Sequence, residues 1–374
     1  MINTDANLAF WKGGLGIRSQ RGSSDHRDLI NLGPPHMKFV GLDIGYSSVK
    51  IAFGSGRMPE VIQMPIGAAP QDRCGLSIDG TVARGGGHEV LIQGAPWVAG
   101  VDPSRIANFV QPMDESYSST DEYRALFYAA LSEIGETHID VLVTGLPVSH
   151  YRDTKHREAL AKFMQGRHHV RDGLTVTVAR AMVIPQPAGA FTAHLLDMSQ
   201  GKSEHPITAN SSVLVVDPGH YSLDWCMFLH SIRIESSFST SQAGERVVHL
   251  AAAKLSETHG VKVRPARLQE AVLTGTGPLR VGQKEIEFWP AMKEAATEIV
   301  EFNLRKIRAN IRSVMDERGV DLILVAGGGA ELFAEPLAAA FPEAEVAKLG
   351  KSITANARGF YAYATQQAQS PKAA

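Results

Sequence analysis

One pattern occurs twice in this chain: an apolar strand that ends in Asp, a Gly two residues later, a hydroxyl-bearing turn, and a second apolar strand. The first copy spans residues 39–53 and carries Asp43-Ile44-Gly45, and the second spans 213–228 and carries Asp217-Pro218-Gly219. Each copy is typical of a β-hairpin with a polar tip. Since a repeated hairpin indicates a duplicated unit, we predict two similar α/β lobes that face each other.

The length and composition fit this prediction. A chain of 374 residues exceeds a typical single-core domain, so two cores are expected. The apolar share of 44% and the charged share of 20% are ordinary for globular proteins. A formal net charge of −2 supplies no basic field, so we expect no direct binding to nucleic acid. A role on DNA would require an adaptor protein.

The cysteine content and the hydropathy of the sequence indicate the cellular compartment in which the protein is expected. The two cysteines, Cys74 and Cys226, lack any metal-ligand spacing, which fits a reducing environment. No apolar run approaches the roughly 20 residues that a membrane-spanning helix needs, and the N-terminus lacks a secretory pattern. We therefore expect a cytoplasmic protein without a membrane partner.

The organisation along the chain is predicted from composition and from the two hairpins. Residues 1–36 mix Gly, Ser, Arg and Asp without apolar periodicity, so we expect a disordered leader. The other predicted units are lobe I at 37–187 plus 352–374, with a small subdomain at about 57–118, and lobe II at 188–351, with a small subdomain at about 245–290.

Apolar periodicity predicts the elements around the hairpins. A helix is expected near residues 120–136, and a long helix from about 291 to 318 leads into a strand at 322–325. This strand is followed by Gly327-Gly328-Gly329 and a helix that begins at Ala330. A strand–glycine–helix junction suits a bound nucleotide, because helix N-termini attract phosphate groups.

The tip of the first hairpin is a candidate phosphate site. Tyr46-Ser47-Ser48 could expose consecutive backbone N–H groups toward an anion. Lys50, just beyond the tip, would add a point charge to the same phosphates. The alternative is a plain hairpin loop beside an ordinary surface lysine.

The second hairpin repeats this arrangement and adds carboxylates. Its tip is His220-Tyr221-Ser222, and Asp224 follows on the return strand. Two such tips could clamp a polyphosphate, and Asp43 and Asp217 could hold a hydrated Mg²⁺, which prefers carboxylates and retained waters. The alternative for each Asp is a turn cap that bonds its own backbone.

These segments resemble the nucleotide-binding motifs of the superfamily of actin, heat-shock chaperones and sugar kinases, and most closely those of the ParM/StbA plasmid-segregation actins. The resemblance covers residues 38–364 and implies an actin-like, RNase H-like duplicated two-lobe fold with a nucleotide cleft between the lobes. The matching segments are 43–50 and 217–224 for the two phosphate motifs, 325–332 for the adenosine motif, and 183–190 and 356–359 for the connecting motifs.

The resemblance implies ATP or ADP with Mg²⁺ as cofactors and assigns site residues. Gln186 would orient the attacking water while Asp217 polarises it or organises Mg²⁺; ParM-like proteins usually carry Glu instead of Gln186. Hydrolysis should then be slow, because a neutral amide positions water without being a strong base. The implied nucleotide contacts are Gly45, Tyr46, Ser47, Ser48, Lys50, Gly219, His220, Tyr221, Ser222, Gly244, Glu245, Gly327, Gly328, Gly329 and Leu332.

Three functions fit this fold, and the fold does not choose between them. The first is an ATPase whose copies assemble with each other into filaments and segregate plasmid DNA through a DNA-binding adaptor. The second is a small-molecule kinase, and the third is a non-polymerising ATP-binding scaffold of the pilus-assembly type. Filament contacts are expected in the two small subdomains.

Other features of the sequence are incidental to this function. Gly350-Lys351-Ser352 lacks the first glycine of a P-loop and is rejected as one. His168-His169 has no metal-ligand partners at suitable spacing, so a solvated loop is expected there. Trp289 is expected in the core.

Overall fold

The computed structural model describes residues 37–75, 87–109, 116–208, 210–220, 222–242, 244–274, 277–314 and 319–369. The expected leader, Tyr221 and parts of the region predicted as the first small subdomain lie outside these residues.

Strands and helices alternate through the described chain. The strands are β1 (Phe39–Ile44), β2 (Val49–Gly54), β3 (Glu60–Met64), β4 (Gly67–Pro70), β5 (His88–Ile92), β6 (Ala95–Val101), β7 (His138–Leu146), β8 (Gly166–Arg171), β9 (Leu174–Pro185), β10 (Ser212–Pro218), β11 (Ser222–Leu229), β12 (Ile232–Gln242), β13 (Leu279–Val281), β14 (Lys284–Ile286), β15 (Leu322–Val325) and β16 (Glu345–Lys348). The helices are α1 (Asp121–Ile134), α2 (Val148–Arg152), α3 (Thr154–Met164), α4 (Gln186–Ser199), α5 (Gly244–His259), α6 (Pro265–Thr274), α7 (Trp289–Val314), α8 (Ala330–Ala340) and α9 (Ala355–Gln369).

Two mixed sheets share one strand order, as the repeated sequence pattern predicts. The first sheet runs β3-β2-β1-β7-β9-β8 and the second runs β12-β11-β10-β15-β16. In each, a central strand pairs antiparallel with its hairpin partner and parallel with the strand on its other side: β1 with β2 and β7, and β10 with β11 and β15. The two halves are therefore structural repeats.

Helices α4 and α9 pack together at the centre of the molecule. Their buried side chains form one cluster with residues of β1, β7, β10, β11 and β15, so the cluster joins both sheets. The helices approach closely because Gly359 meets Gly189: a Cβ on Gly359 would overlap the Gly189 carbonyl. The Arg358 guanidinium donates to the Asp197 carboxylate across this interface.

Smaller elements pack beside each of the two large sheets. A sheet in the order β4-β6-β5 covers one side of α1, and its apolar side chains share a core with β1 and β2. The hairpin β13-β14 and helices α5, α6 and α7 share a core with β10, β11 and β15. The lobe and subdomain boundaries given above stay predictions. Among the described residues, no helix is long and apolar enough to cross a bilayer.

Two expectations were wrong. His168 lies in β8 rather than a solvated loop, because β8 pairs with β9; its ring is buried against Phe127, and its Nε2 lies 3.0 Å from the Met164 carbonyl. Burial lowers the pKa of this histidine. Trp289 begins α7 and is 41% exposed, because the neighbouring Phe288 takes the core position.

Candidate functional site

A cleft lies where the tips of the two repeated hairpins meet. It is open to solvent, and residues of both hairpins line it. The carboxyl ends of β1, β7 and β10 all border it, as does the loop after β15. Such strand ends are a common ligand position in α/β folds.

The first hairpin places a buried charge pair at the cleft wall. The Gly45 N–H donates to the Ser48 carbonyl at 3.2 Å and closes the turn. Lys50 Nζ lies 3.4 Å from Asp43 Oδ2, and both side chains are buried. Gln186 Nε2 donates to Asp43 Oδ1 at 3.2 Å. The structure therefore brings Gln186 together with Asp43 and Lys50, which lie far before it in the sequence.

The tip of this hairpin is fixed by aromatic stacking. The ring of Tyr46 stacks on Tyr117 with centroids 4.8 Å apart, and Tyr117 meets Tyr123 edge to face. Gly45, Tyr46 and Ser47 line the cleft, whereas Ser48 is buried beneath the tip and is outside its lining.

The second hairpin centres on the buried carboxyl of Asp217. Asn356 Nδ2 donates to Asp217 Oδ2 at 2.7 Å. The Gly219 N–H donates to the Ser222 carbonyl at 2.8 Å, and the Ser222 hydroxyl donates to Asp224. Asp224 Oδ1 also accepts the backbone N–H of Val148 at 3.0 Å, which ties β11 to the first turn of α2.

The electrostatic setting of Asp217 suits a bound cation. Burial raises the pKa of this carboxyl to about 7; Asp224 and Asp43 also raise it, whereas Asn356 and Lys50 lower it. A divalent cation would offset the repulsion between these carboxylates.

The donor set fits magnesium held mainly by waters and ligand oxygens. Within the described parts of the chain, no three His, Cys, Asp or Glu side chains form a cluster that could hold a metal by themselves. Asn356 Oδ1 is buried without a hydrogen-bond partner, so it can accept a hydrogen bond from a ligand or a cation-bound water. Mg²⁺ usually binds through one or two carboxylates plus substrate phosphates and retained waters. Asp43 and Asp217 therefore fit this ion.

The glycine loop after β15 packs directly on the second hairpin. The Gly327 N–H donates to the Ser352 carbonyl, and the Gly329 N–H donates to the Pro218 carbonyl at 2.9 Å. Gly327 has φ +70, and a Cβ there would overlap the Asp217 carboxylate. Gly327, Gly328, Gly329 and Leu332 line the cleft.

The start of α5 is bonded to the second hairpin. The Gly244 N–H donates to the Gly219 carbonyl at 3.2 Å, and the Glu245 N–H donates to the His220 carbonyl at 2.7 Å. Gly219, His220, Ser222 and Gly244 line the cleft, whereas Glu245 is outside its lining.

Asn356 and Gln269 are cleft residues to which the sequence gives no individual role. In the sequence, Asn356 belongs only to a connecting motif, whereas in the structure its side chain donates a hydrogen bond to Asp217. Gln269 on α6 lines the cleft, with its Nε2 3.3 Å from His220 Nε2. The position of Asn356 in the first turn of a helix was a usable signal, but Gln269 lies in an ordinary amphipathic pattern.

Both halves of the chain match models of known protein families. Residues 41–189 match the model of the N-terminal domain of actin-like proteins, and residues 215–339 match that of the C-terminal domain of the archaeal, MreB-like actin homologue. A comparison with curated proteins gave no significant match.

Solved actin-like structures superpose over most of the chain. An archaeal actin homologue has a TM-score of 0.67 at 20% identity, covering 88% of this chain and 100% of its own; its ADP complex scores 0.62 at 21%, with the same coverage. A ParM filament from Clostridium botulinum scores 0.65 at 15%, and Bacillus thuringiensis ParM with AMPPNP scores 0.58 at 12%; both cover 89% of this chain and 100% of their own. The predicted actin-like, two-lobed α/β fold is confirmed.

Proposed function

Because the chain belongs to the actin-like proteins, we propose that it binds ATP with Mg²⁺ in the cleft and hydrolyses it slowly to control filament assembly. The observation that carries this proposal is the convergence of the two hairpins, with Lys50 on one side and Asp217 on the other. The turns of both hairpins can offer backbone N–H groups to a ligand, and Lys50 adds the positive charge of its ammonium group.

The proposed roles follow from the contacts. The turns at 45–48 and 219–222 would hold the triphosphate, and Gly244, Gly327–Gly329 and Leu332 would hold the nucleoside. Asp43 and Asp217 would hold Mg²⁺, which would supply neutralisation of the charge that develops on the phosphates. Gln186 orients the attacking water from the start of α4.

The bond between Gln186 and Asp43 supports slow turnover. Its amide nitrogen is engaged by Asp43 Oδ1, so its carbonyl oxygen is the atom left to accept a hydrogen bond from water. An amide accepts that hydrogen bond without removing the proton as a strong base would. Asp217 lies on the opposite wall, where its carboxylate can receive the proton or orient a second water.

We also propose a cytoplasmic protein that assembles with itself and segregates plasmid DNA through a DNA-binding adaptor. Structures of ParM proteins, including a filament, support self-assembly on this fold. The net charge of −2 favours an adaptor over direct contact with DNA.

High-speed sedimentation tests this function. The purified protein is spun with ATP, AMPPNP, ADP or no nucleotide, while phosphate release is followed in the same samples. Pelleting with ATP and AMPPNP, followed in the ATP sample by disassembly as phosphate appears, is the expected result. Nucleotide binding without pelleting at any protein concentration would contradict filament assembly and favour the scaffold or the kinase, which a substrate screen would separate.

A further inference from the structure

The two hairpins carry a ring side chain at equivalent positions. Tyr46 lies three residues after Asp43, and His220 lies three residues after Asp217. Both line the cleft, and each contacts a residue outside its own hairpin: Tyr46 stacks on Tyr117, and His220 contacts Gln269. Only the second ring can change its charge near neutral pH.

The His220 ring is held in a defined orientation. Its backbone carbonyl accepts the Glu245 N–H at 2.7 Å, which fixes the residue against the start of α5. Its Nε2 lies 3.3 Å from the side-chain nitrogen of Gln269. Because an amide NH₂ can only donate, Nε2 is the acceptor of this bond and Nδ1 carries the proton of the neutral ring.

The charges around the ring change when an anion enters. Burial lowers the pKa of His220; Glu245 on α5 raises it, and Lys50 on β2 lowers it. The ring is therefore neutral at neutral pH in the free protein. A polyphosphate placed beside Lys50 would offset that ammonium and favour the imidazolium form.

We propose that the His220 imidazole binds a phosphate group of the ligand, takes up a proton from solvent as it does so, and is held ready by Gln269. This inference rests on the proposed nucleotide binding. A protonated Nε2 cannot accept from the Gln269 amide, so the amide turns its oxygen toward the ring. Ligand binding in the cleft thereby changes the orientation of a side chain on α6.

Titration calorimetry with AMPPNP, without Mg²⁺ and with EDTA, tests this directly. The titration is repeated near pH 7 in two buffers of different ionisation enthalpy, which gives the number of protons taken up on binding. On binding AMPPNP, the His220→Gln variant is expected to take up fewer protons than the wild type, and the difference should be at most one proton. It should also bind about tenfold more weakly near pH 6.5, which is the contribution of a hydrogen bond to a charged group. Protonation of AMPPNP itself is common to all variants and cancels.

His249→Gln is the matched control. His249 lies on α5 and pairs with the same Glu245 at 3.9 Å, but its side chain is 60% exposed. It is expected to show wild-type proton uptake. Equal loss of uptake in His249→Gln and His220→Gln would overturn the assignment to His220.

Substitutions of Gln269 provide a second test that leaves His220 in place. Gln269→Glu puts a carboxylate beside the His220 ring, so the ring should already be protonated before the ligand binds. This variant should still bind AMPPNP, but it should take up fewer protons as it does so. Gln269→Leu should weaken binding, and Gln269→Asn should restore part of it. If AMPPNP binds and all variants take up the same number of protons, the inference is wrong while the proposed function stands. If wild type does not bind AMPPNP, both fail.

Discussion

Gln186 Nε2 donates a hydrogen bond to Asp43 Oδ1 at 3.2 Å, joining the first turn of α4 to the first hairpin. The second half repeats this relationship: Asn356, in the first turn of α9, donates to Asp217 at 2.7 Å. Since α4 and α9 pack on each other, each hairpin carboxylate is oriented by an amide from the central helix pair. A shift between these helices would therefore move the carboxylates at both walls of the cleft.

Replacing Lys50 should affect both stability and ligand binding. Lys50→Met removes the partner of a carboxylate whose side chain is only 5% exposed, which should cost about 3–5 kcal/mol in free energy of unfolding. Denaturant unfolding measures this, and ATP titration should show at least about tenfold weaker binding.

Two variants separate the effects of Lys50. The double variant Asp43→Asn with Lys50→Met should regain much of the stability without regaining ATP affinity. Lys38→Met breaks the pair with Glu136, whose side chains are 34% and 38% exposed, and should cost less than about 1 kcal/mol. Similar losses for Lys38→Met and Lys50→Met would contradict the buried pair.

Gln186→Ala should slow hydrolysis about 100-fold while ATP affinity changes little, because its proposed role is to position water. Filaments should persist longer. Phosphate release in a single turnover measures the effect, and Gln200→Ala, near the other end of α4, serves as the control. Unchanged phosphate release would remove Gln186 from the mechanism.

Gly327 and Gly328 form a matched pair for testing the glycine loop. Gly327 has φ +70, and its Cβ would overlap Asp217 and lie 2.9 Å from the Pro218 carbonyl oxygen, whereas a Cβ on Gly328 meets nothing within 4 Å. Gly327→Ala should therefore destabilise the protein by more than about 1 kcal/mol, while Gly328→Ala leaves the free energy of unfolding nearly unchanged. Equal effects in thermal unfolding would contradict the packing described here.

The raised pKa of Asp217 predicts a pH dependence in the absence of ligand and metal. The folded protein keeps a proton on Asp217 up to about pH 7, whereas the unfolded chain releases it near the ordinary aspartate pKa of 3.8. Stability from this residue should therefore fall as the pH rises from about 4 to about 7, by roughly 1.4 kcal/mol for each unit in that range. Asp217→Asn should remove this part of the slope in denaturant unfolding measured across the range; an identical profile in both proteins would count against it.

The hairpins were predictable because their signals are local. Asp43 and Asp217 each end an apolar strand and precede a glycine, and that pattern specifies the turn without reference to the rest of the chain. The helix predicted near 120–136 is α1, and the junction at Gly327 leads into α8, as expected.

Contacts that depend on packing were not predictable. The bond between Asn356 and Asp217 joins residues 139 positions apart and exists because α9 lies between the sheets. The choice between Phe288 and Trp289 as the core side chain depends on the angle at which α7 begins. Gln269 reaches His220 only because α6 packs beside the second hairpin.

A structure with AMPPNP and Mg²⁺, by crystallography or electron cryomicroscopy, tests the central claim most directly. We predict that the triphosphate lies between the turns at 45–48 and 219–222, with Lys50 on the phosphates and Asp217 facing the cation. Nucleotide bound elsewhere, or a cleft that stays empty at saturating AMPPNP, would contradict the account.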